Sequence, residues 1–294
     1  MTTTDTTERI DPDDPDATGV SPDRDPSPGE SGEQSESTGQ ESAAVRAELS
    51  RVTRTYGGTP VLQDVSVTVL PGVTAVIGPN GSGKSTLLGI LAGVVSPVEG
   101  SVARTDQSAA DDQAERGVGY LPQRVPFRES FTARETLAFY ARLVDADPDA
   151  ALESVGLLDA ADRRVEALSG GMRRLLGIAQ ATIGDPPLVV LDEPTSGLDP
   201  SMRERAFRSA AENAGDGTAV VVSSHDLDLV DTHADRLVVM DRGTVAASGP
   251  IETLYDAYDV ESVAELYRAA VGERSERPGE STEHGAVHVT GVSE

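Results

Sequence analysis

Nine consecutive residues carry the first chemical signal. Gly78-Pro79-Asn80-Gly81-Ser82-Gly83-Lys84-Ser85-Thr86 fits G-x-x-x-x-G-K-[S/T], with an apolar run before it and a helical pattern after it. Glycines in such a loop let backbone N–H groups turn inward around phosphates, and the helix beyond it adds its positive end. Lys84 would bring a compact ammonium to the β- and γ-phosphates of a nucleotide, and Ser85 a hydroxyl ligand for Mg²⁺. Lys84 is also the chain's only lysine, against twenty-three arginines. Arginine's planar fork has another size and geometry, so the one lysine stands where a point charge is hardest to replace. A second signal is Leu188-Val189-Val190-Leu191-Asp192-Glu193, four apolar residues ending in two carboxylates. A buried strand would deliver both at its C-terminal end beside the phosphate loop. Asp192 would hold Mg²⁺, and Glu193 would orient or deprotonate an attacking water. A third is Leu168-Ser169-Gly170-Gly171-Met172, a second anion-binding helix N-terminus with Ser169 as N-cap and two glycines permitting close backbone approach.

These residues need a scaffold, and the rest of the sequence describes one. Ala47–Arg54 and Val61–Leu70 read as strands, and Val73–Ile77 as a strand buried on both faces. Helical spacing covers Ser85–Ala92, Ala133–Leu143, Asp149–Val155, Ser169–Ala181 and Ser201–Asn213. Leu188–Leu191 and Ala219–Val222 are further buried-strand runs, and Arg236–Met240 with Thr244–Ala247 is a final pair across Asp241-Arg242-Gly243. Residues 102–118 are polar and poorly periodic, and 251–271 read as helical. The alternation predicts an α/β fold with a mainly parallel core sheet, an antiparallel β subdomain and a helical subdomain inserted at about 124–170.

Composition narrows the function classes. Asp plus Glu is 50 and Lys plus Arg 24, a net charge of −26 that disfavours nucleic-acid binding through a broad basic patch. The absence of cysteine excludes disulfides, thiolate-ligated metals and thiolate catalysis. No run approaches the ~18 apolar residues of a membrane-spanning helix, and residues 1–16 lack the features of a secretory signal, so a soluble intracellular protein is expected. Residues 1–45 hold twelve acids, two arginines and no aromatic, and with residues 272–294 they are expected to be disordered tails around a domain at 46–271. A GC-rich genome alone can replace lysine by arginine. An acidic surface nearly free of lysine also suits a cytoplasm of molar salt, and the halophilic reading is preferred.

With the phosphate loop and the acid pair, the Ser169-Gly170-Gly171 element resembles the signature of ATP-binding-cassette (ABC) ATPases. Other motifs of that family stand in order around it. Tyr56 is similar to the aromatic that stacks on adenine, Gln123 in Tyr120-Leu121-Pro122-Gln123 to the Q-loop glutamine, and Ser196-Gly197-Leu198-Asp199 to the D-loop. His225 in Ser223-Ser224-His225-Asp226 is similar to the switch histidine, although Asp199 taken alone would also suit as a helix cap. The resemblance spans roughly residues 47–270. It implies a P-loop NTPase of ABC type, with ATP as substrate and Mg²⁺ held by Ser85, Gln123 and Asp192. It further implies a head-to-tail dimer or paired cassette closing on ATP, and an integral membrane permease subunit that keeps the chain at the inner face of the membrane. Met172 departs from the glutamine of many members, and Met172-Arg173-Arg174 resembles exporter-type ATPases. Gly119–Pro122, the stretch from Arg134 to Leu143, and Ala161–Val165 look like the maturation ATPase for the copper centre of nitrous-oxide reductase. A soluble ABC ATPase acting on ribosomes is the alternative. A chromosome-type ATPase is disfavoured by the lack of sustained heptads, and a GTPase by the lack of Asn-Lys-x-Asp.

Overall fold

The computed structural model describes residues 45–104, 117–214, 217–275 and 287–288. The N-terminal half contains β1 (Ala47–Tyr56), β2 (Thr59–Val69), β3 (Gly72–Ile77), α1 (Lys84–Leu91), β4 (Glu99–Arg104) and β5 (Gly119–Leu121). A helical stretch comes after it, with α2 (Ala133–Val144), α3 (Pro148–Ser154) and α4 (Gly170–Thr182). Next come β6 (Leu188–Leu191), α5 (Pro200–Glu212), β7 (Ala219–Ser223) and α6 (Leu227–His233). The chain closes on β8 (Arg236–Asp241), β9 (Thr244–Pro250), α7 (Ile251–Tyr258), α8 (Val263–Ser275) and β10 (Val287–His288).

The apolar runs build a seven-stranded sheet ordered β10-β9-β8-β3-β7-β6-β5. From β8 to β5 every pairing is parallel, and β9 turns back antiparallel on β8. That hairpin uses Arg242 and Gly243, both at positive φ (46° and 81°), which suits the right-handed twist of its strands. Strand periodicity sorts the core into two layers. Val73, Ala75 and Ile77 of β3 face one cluster with Leu191, Val222 and Phe207. Val76 joins Leu88, Val190 and Val221 in the other, where α1 and the small antiparallel sheet β2-β1-β4 lie. An α/β fold with a mainly parallel sheet, an antiparallel subdomain and a helical insertion is what the sequence predicts.

Several details differ from expectation. β4 falls partly in the stretch read as unperiodic; it is an edge strand, largely exposed, with no apolar alternation to reveal it. Helix α8 runs to Ser275, past the expected boundary at 271, and Val287–His288 pair in parallel with Ala247–Ser248. The remainder of both expected tails lies outside the described residues. α2 is fixed by a capping box at Thr132: its Oγ accepts the Glu135 N–H at 3.1 Å, and Glu135 Oε2 accepts the Thr132 N–H at 2.8 Å.

Phe207 on α5 is fully buried and stacks on His233 at 5.5 Å between centroids. Phe207→Ala should cost about 3–5 kcal/mol, since the ring is fully enclosed in the core cluster and its surroundings can collapse only in part. Urea unfolding would show this as a lowered midpoint with an unchanged slope.

Candidate nucleotide site

The phosphate loop links β3 to α1. Gly83 sits at φ +102°, and a Cβ there would lie 2.6 Å from Leu62 Cδ2 and 2.8 Å from the Val61 carbonyl. Conformation and space therefore both demand glycine. No side chain caps α1 and no acid stands in its first turn, whereas Thr132, Ser169, Asp199 and Asp226 cap α2, α4, α5 and α6. The first-turn amides of α1 have no acceptor within their own helix. Ser82 Oγ is buried without a hydrogen-bond partner, and the Lys84 ammonium, on a residue 6% exposed, donates to the carbonyls of Gly78 (2.8 Å) and Pro79 (3.1 Å). Burial lowers the Lys84 pKa, while the negative charges of Glu193 and Asp192 draw it back up. A donor-rich loop with an uncapped helix end and a buried cation fits a phosphate chain.

Strand order delivers the remaining groups. Leu121, Leu191, Val222 and Ala75 stand in one register row across β5, β6, β7 and β3. The segments leaving these strands project from one edge of the sheet: Gln123 beyond β5, Asp192 and Glu193 beyond β6, His225 beyond β7 and the phosphate loop beyond β3. Asp192 is 2% exposed, and its Oδ1 accepts from Ser223 Oγ at 2.7 Å. The same hydroxyl oxygen accepts the Glu193 N–H at 2.8 Å. Glu193 is held at φ +50°, a left-handed conformation unusual for glutamate. Its carboxylate is gripped on both oxygens. Oε1 lies 2.8 Å from His225 Nε2, and Oε2 accepts from Gln123 Nε2 at 3.2 Å. An ionised carboxylate only accepts, so His225 presents Nε2 as its donor. Two clefts flank His225. One, of about 680 Å³, includes Glu193, Gly197, Arg203 and Asp226; the other, of about 190 Å³, lies between Gly78–Asn80 and Tyr267.

Ser169, Asp199 and Tyr56 make their contacts apart from the Glu193, Gln123 and His225 cluster. Ser169 caps α4 by accepting the Met172 N–H at 3.2 Å, ahead of exposed Gly170 and buried Gly171. Asp199 caps α5; its bonds from Ser201 (2.7 Å) and the Met202 N–H (3.0 Å) hold its carboxyl below the usual range. Tyr56 is half-exposed at the end of β1, with the Arg54 guanidinium 4.6 Å over its ring. Ser85 and Gln123 are exposed and Thr86 half-buried. Oxygen donors from Ser85, Asp192 and Gln123 are the hard ligands that suit Mg²⁺. Sequence reasoning did not single out Ser223, Arg174 or Tyr267. In sequence the arginine stands out only as part of Met172-Arg173-Arg174, and nothing in a strand-end serine signals that it bridges two acids.

Fold and site together define a P-loop nucleotide-binding domain, and comparisons with known proteins place it. A family model described as ABC transporter matches residues 62–196. The hemin import ATP-binding protein HmuV of Rhodococcus jostii (strain RHA1) is 40% identical over 223 residues, covering 71% of this chain and 76% of that protein. The Nod factor export ATP-binding protein I of Mesorhizobium japonicum is 34% identical over 235 residues, covering 76% and 69%. Among solved structures, the ATP-binding subunit of an ABC transporter aligns with a TM-score of 0.67 at 25% identity, covering 77% of this chain and 99% of that one. The dimeric post-hydrolysis state of the cassette MJ0796, bound to ADP and Pi, aligns at 0.59 and 26%, covering 70% and 98%. The chain belongs to the ABC transporter family; it is an ATP-binding cassette and an ATPase.

Proposed function

We propose that this cassette dimerises on ATP and energises a separate membrane-spanning subunit, to which it binds from the cytoplasmic side. The observation that carries the hydrolytic reading is the Glu193 carboxylate, held between Gln123 and His225 beside the phosphate loop. The phosphate loop, Gly78 to Thr86, wraps the phosphates with backbone amides, and Lys84 exchanges its two carbonyl partners for phosphate oxygens. Tyr56 offers a ring for adenine, as its exposure supports. Glu193 orients the attacking water and takes its proton, while His225 and Gln123 fix the carboxylate and sense the γ-phosphate. Mg²⁺, held by Ser85, Asp192 and Gln123, would neutralise charge on the β- and γ-phosphate oxygens.

The second half of the site comes from another copy or a paired cassette. Ser169 and Asp199 serve as helix caps within one chain; the dimeric relative supports a paired assembly, and the family resemblance implies that Ser169–Gly171 and Asp199 act across its interface. Binding ATP between two chains lets it favour the closed pair over the open one. Relatives work in import and in export. We favour export, on the Met172-Arg173-Arg174 resemblance, and a cassette like the maturation ATPase for the copper centre of nitrous-oxide reductase, on the narrower resemblance of 119–122, 134–143 and 161–165.

The test is affinity purification of Glu193→Gln protein from detergent-solubilised host membranes with ATP, then identification of the co-purifying chains. A stoichiometric polytopic partner supports the reading. Ribosomal proteins, or an ATP-bound dimer with no partner, overturn it.

We also propose a high-salt cytoplasm as the working medium, from the −26 charge and the single lysine. Self-repulsion of that charge is screened by salt. The melting temperature should therefore rise between 0.1 and 2 M KCl by about 10 °C or more, where a shift of about 2–4 °C corresponds to about 1 kcal/mol. Calorimetry across the series checks this; a flat or falling curve argues for genomic composition alone.

A further inference from the structure

Arg174 is the most heavily engaged side chain among the described residues. The residue is 9% exposed, and each of the five N–H donors of its guanidinium is available to a different main-chain carbonyl. Nη1 donates to Pro122 (2.9 Å) and Gln123 (3.1 Å), and Nε to Pro194 (3.3 Å). Nη2 donates to Glu193 (2.8 Å) and to Asp192. One side chain thus ties the segment after β5 to the segment after β6. It grips the glutamine and the glutamate that meet in the site, and it holds the Glu193 carbonyl while Ser223 holds the N–H. The peptides on both sides of the left-handed Glu193 are fixed.

The helix is placed for this. One turn beyond Arg174, Gly177 lets α4 approach β5 so closely that a Cβ there would lie 2.6 Å from Leu121 Cδ1. That approach brings the arginine over the strand ends. The same helix begins at Ser169–Gly171, which the proposed dimer presents to the partner's nucleotide.

We propose that Arg174 is a positioning residue that couples the two composite sites, transmitting the seating of α4 on the partner's ATP to its own Gln123 and Glu193. The inference rests on the dimer reading above. Its physical content is a rigid link: α4 cannot shift against β5 and β6 without breaking several of five charge-assisted bonds. ATP closing one site therefore sets the carboxylate of the other.

The experiment measures ATP turnover against ATP concentration for the full chain, with Arg174→Met and Arg174→Lys. Lysine keeps the charge but offers at most three donors for five carbonyls, so it should fold yet couple poorly. The wild type is expected to show a Hill coefficient above 1. Both variants should lose about tenfold or more in kcat and fall to a Hill coefficient of about 1, with ATP affinity of the monomer within about twofold of wild type. Should Arg174→Met fail to fold, Arg174→Lys decides alone. The inference is overturned by a folded variant with wild-type kcat and Hill coefficient, by losses that only track the folded fraction, or by a non-cooperative wild type. Sedimentation of Glu193→Gln with ATP separates the levels. Failure to dimerise removes the parent reading and this one with it, while dimerisation beside an indifferent Arg174→Lys removes this one only.

Discussion

Glu193→Gln is expected to lower ATP turnover by about 10²–10⁴-fold, the range a positioned general base contributes, while ATP still binds. The change removes the negative charge that takes the proton and preserves side-chain shape. Glutamine keeps one oxygen that can accept, so either the Gln123 or the His225 bond survives and the other is lost or reoriented. The backbone is held independently by Ser223 and Arg174, so the loop should keep its conformation at φ +50°. Binding and chemistry should therefore separate cleanly. ATP should accumulate in a dimer that sedimentation or light scattering detects, with phosphate release close to background. Turnover within about threefold of wild type would remove Glu193 from the role of base and leave it a structural carboxylate.

Lys84→Ala should act on the other side of that division, weakening ATP binding by about 30-fold or more, as loss of a buried charge from its partner does at about 2–5 kcal/mol. Lys84 lies 6% exposed in a loop that holds its ammonium with two carbonyls, so the cation is placed before nucleotide arrives. Alanine leaves those carbonyls without their donor and the bound phosphates without their nearest point charge. Arginine should rescue little, because the buried ammonium is seated on the Gly78 and Pro79 carbonyls and a larger, forked planar group cannot take its place. Equilibrium binding of a fluorescent ATP analogue to the three proteins measures the difference. Equal affinities would mean that the backbone amides alone hold the nucleotide.

The two variants probe the part of the molecule that sequence made plain. A phosphate loop, a strand ending in two acids and a histidine after a strand are local strings, and the fold sets them in one register row. Less legible were elements whose stability comes from neighbours. β5 is only three residues and exists because β6 and α4 flank it; β4 is an exposed edge; α6 is a single short helix started by the Asp226 cap. Arg174 was unreadable for a related reason. Its partners are carbonyls, which every residue possesses, so no side-chain type elsewhere in the sequence marks where the guanidinium goes. Ser223 likewise looks like any strand-end hydroxyl until β6 and β7 lie side by side. Asp199 shows the opposite case: its place as a helix cap was visible, and within one chain the cap is what it makes.

The solitary lysine has one more consequence. A primary amine is the usual handle for acylating and reductive reagents, and this chain offers only one on a side chain, inside the phosphate loop. Covalent modification aimed at amines would therefore report on a single side chain. Its rate would read whether the loop is free or filled, much as a tailored reporter group would, with no engineering of the sequence.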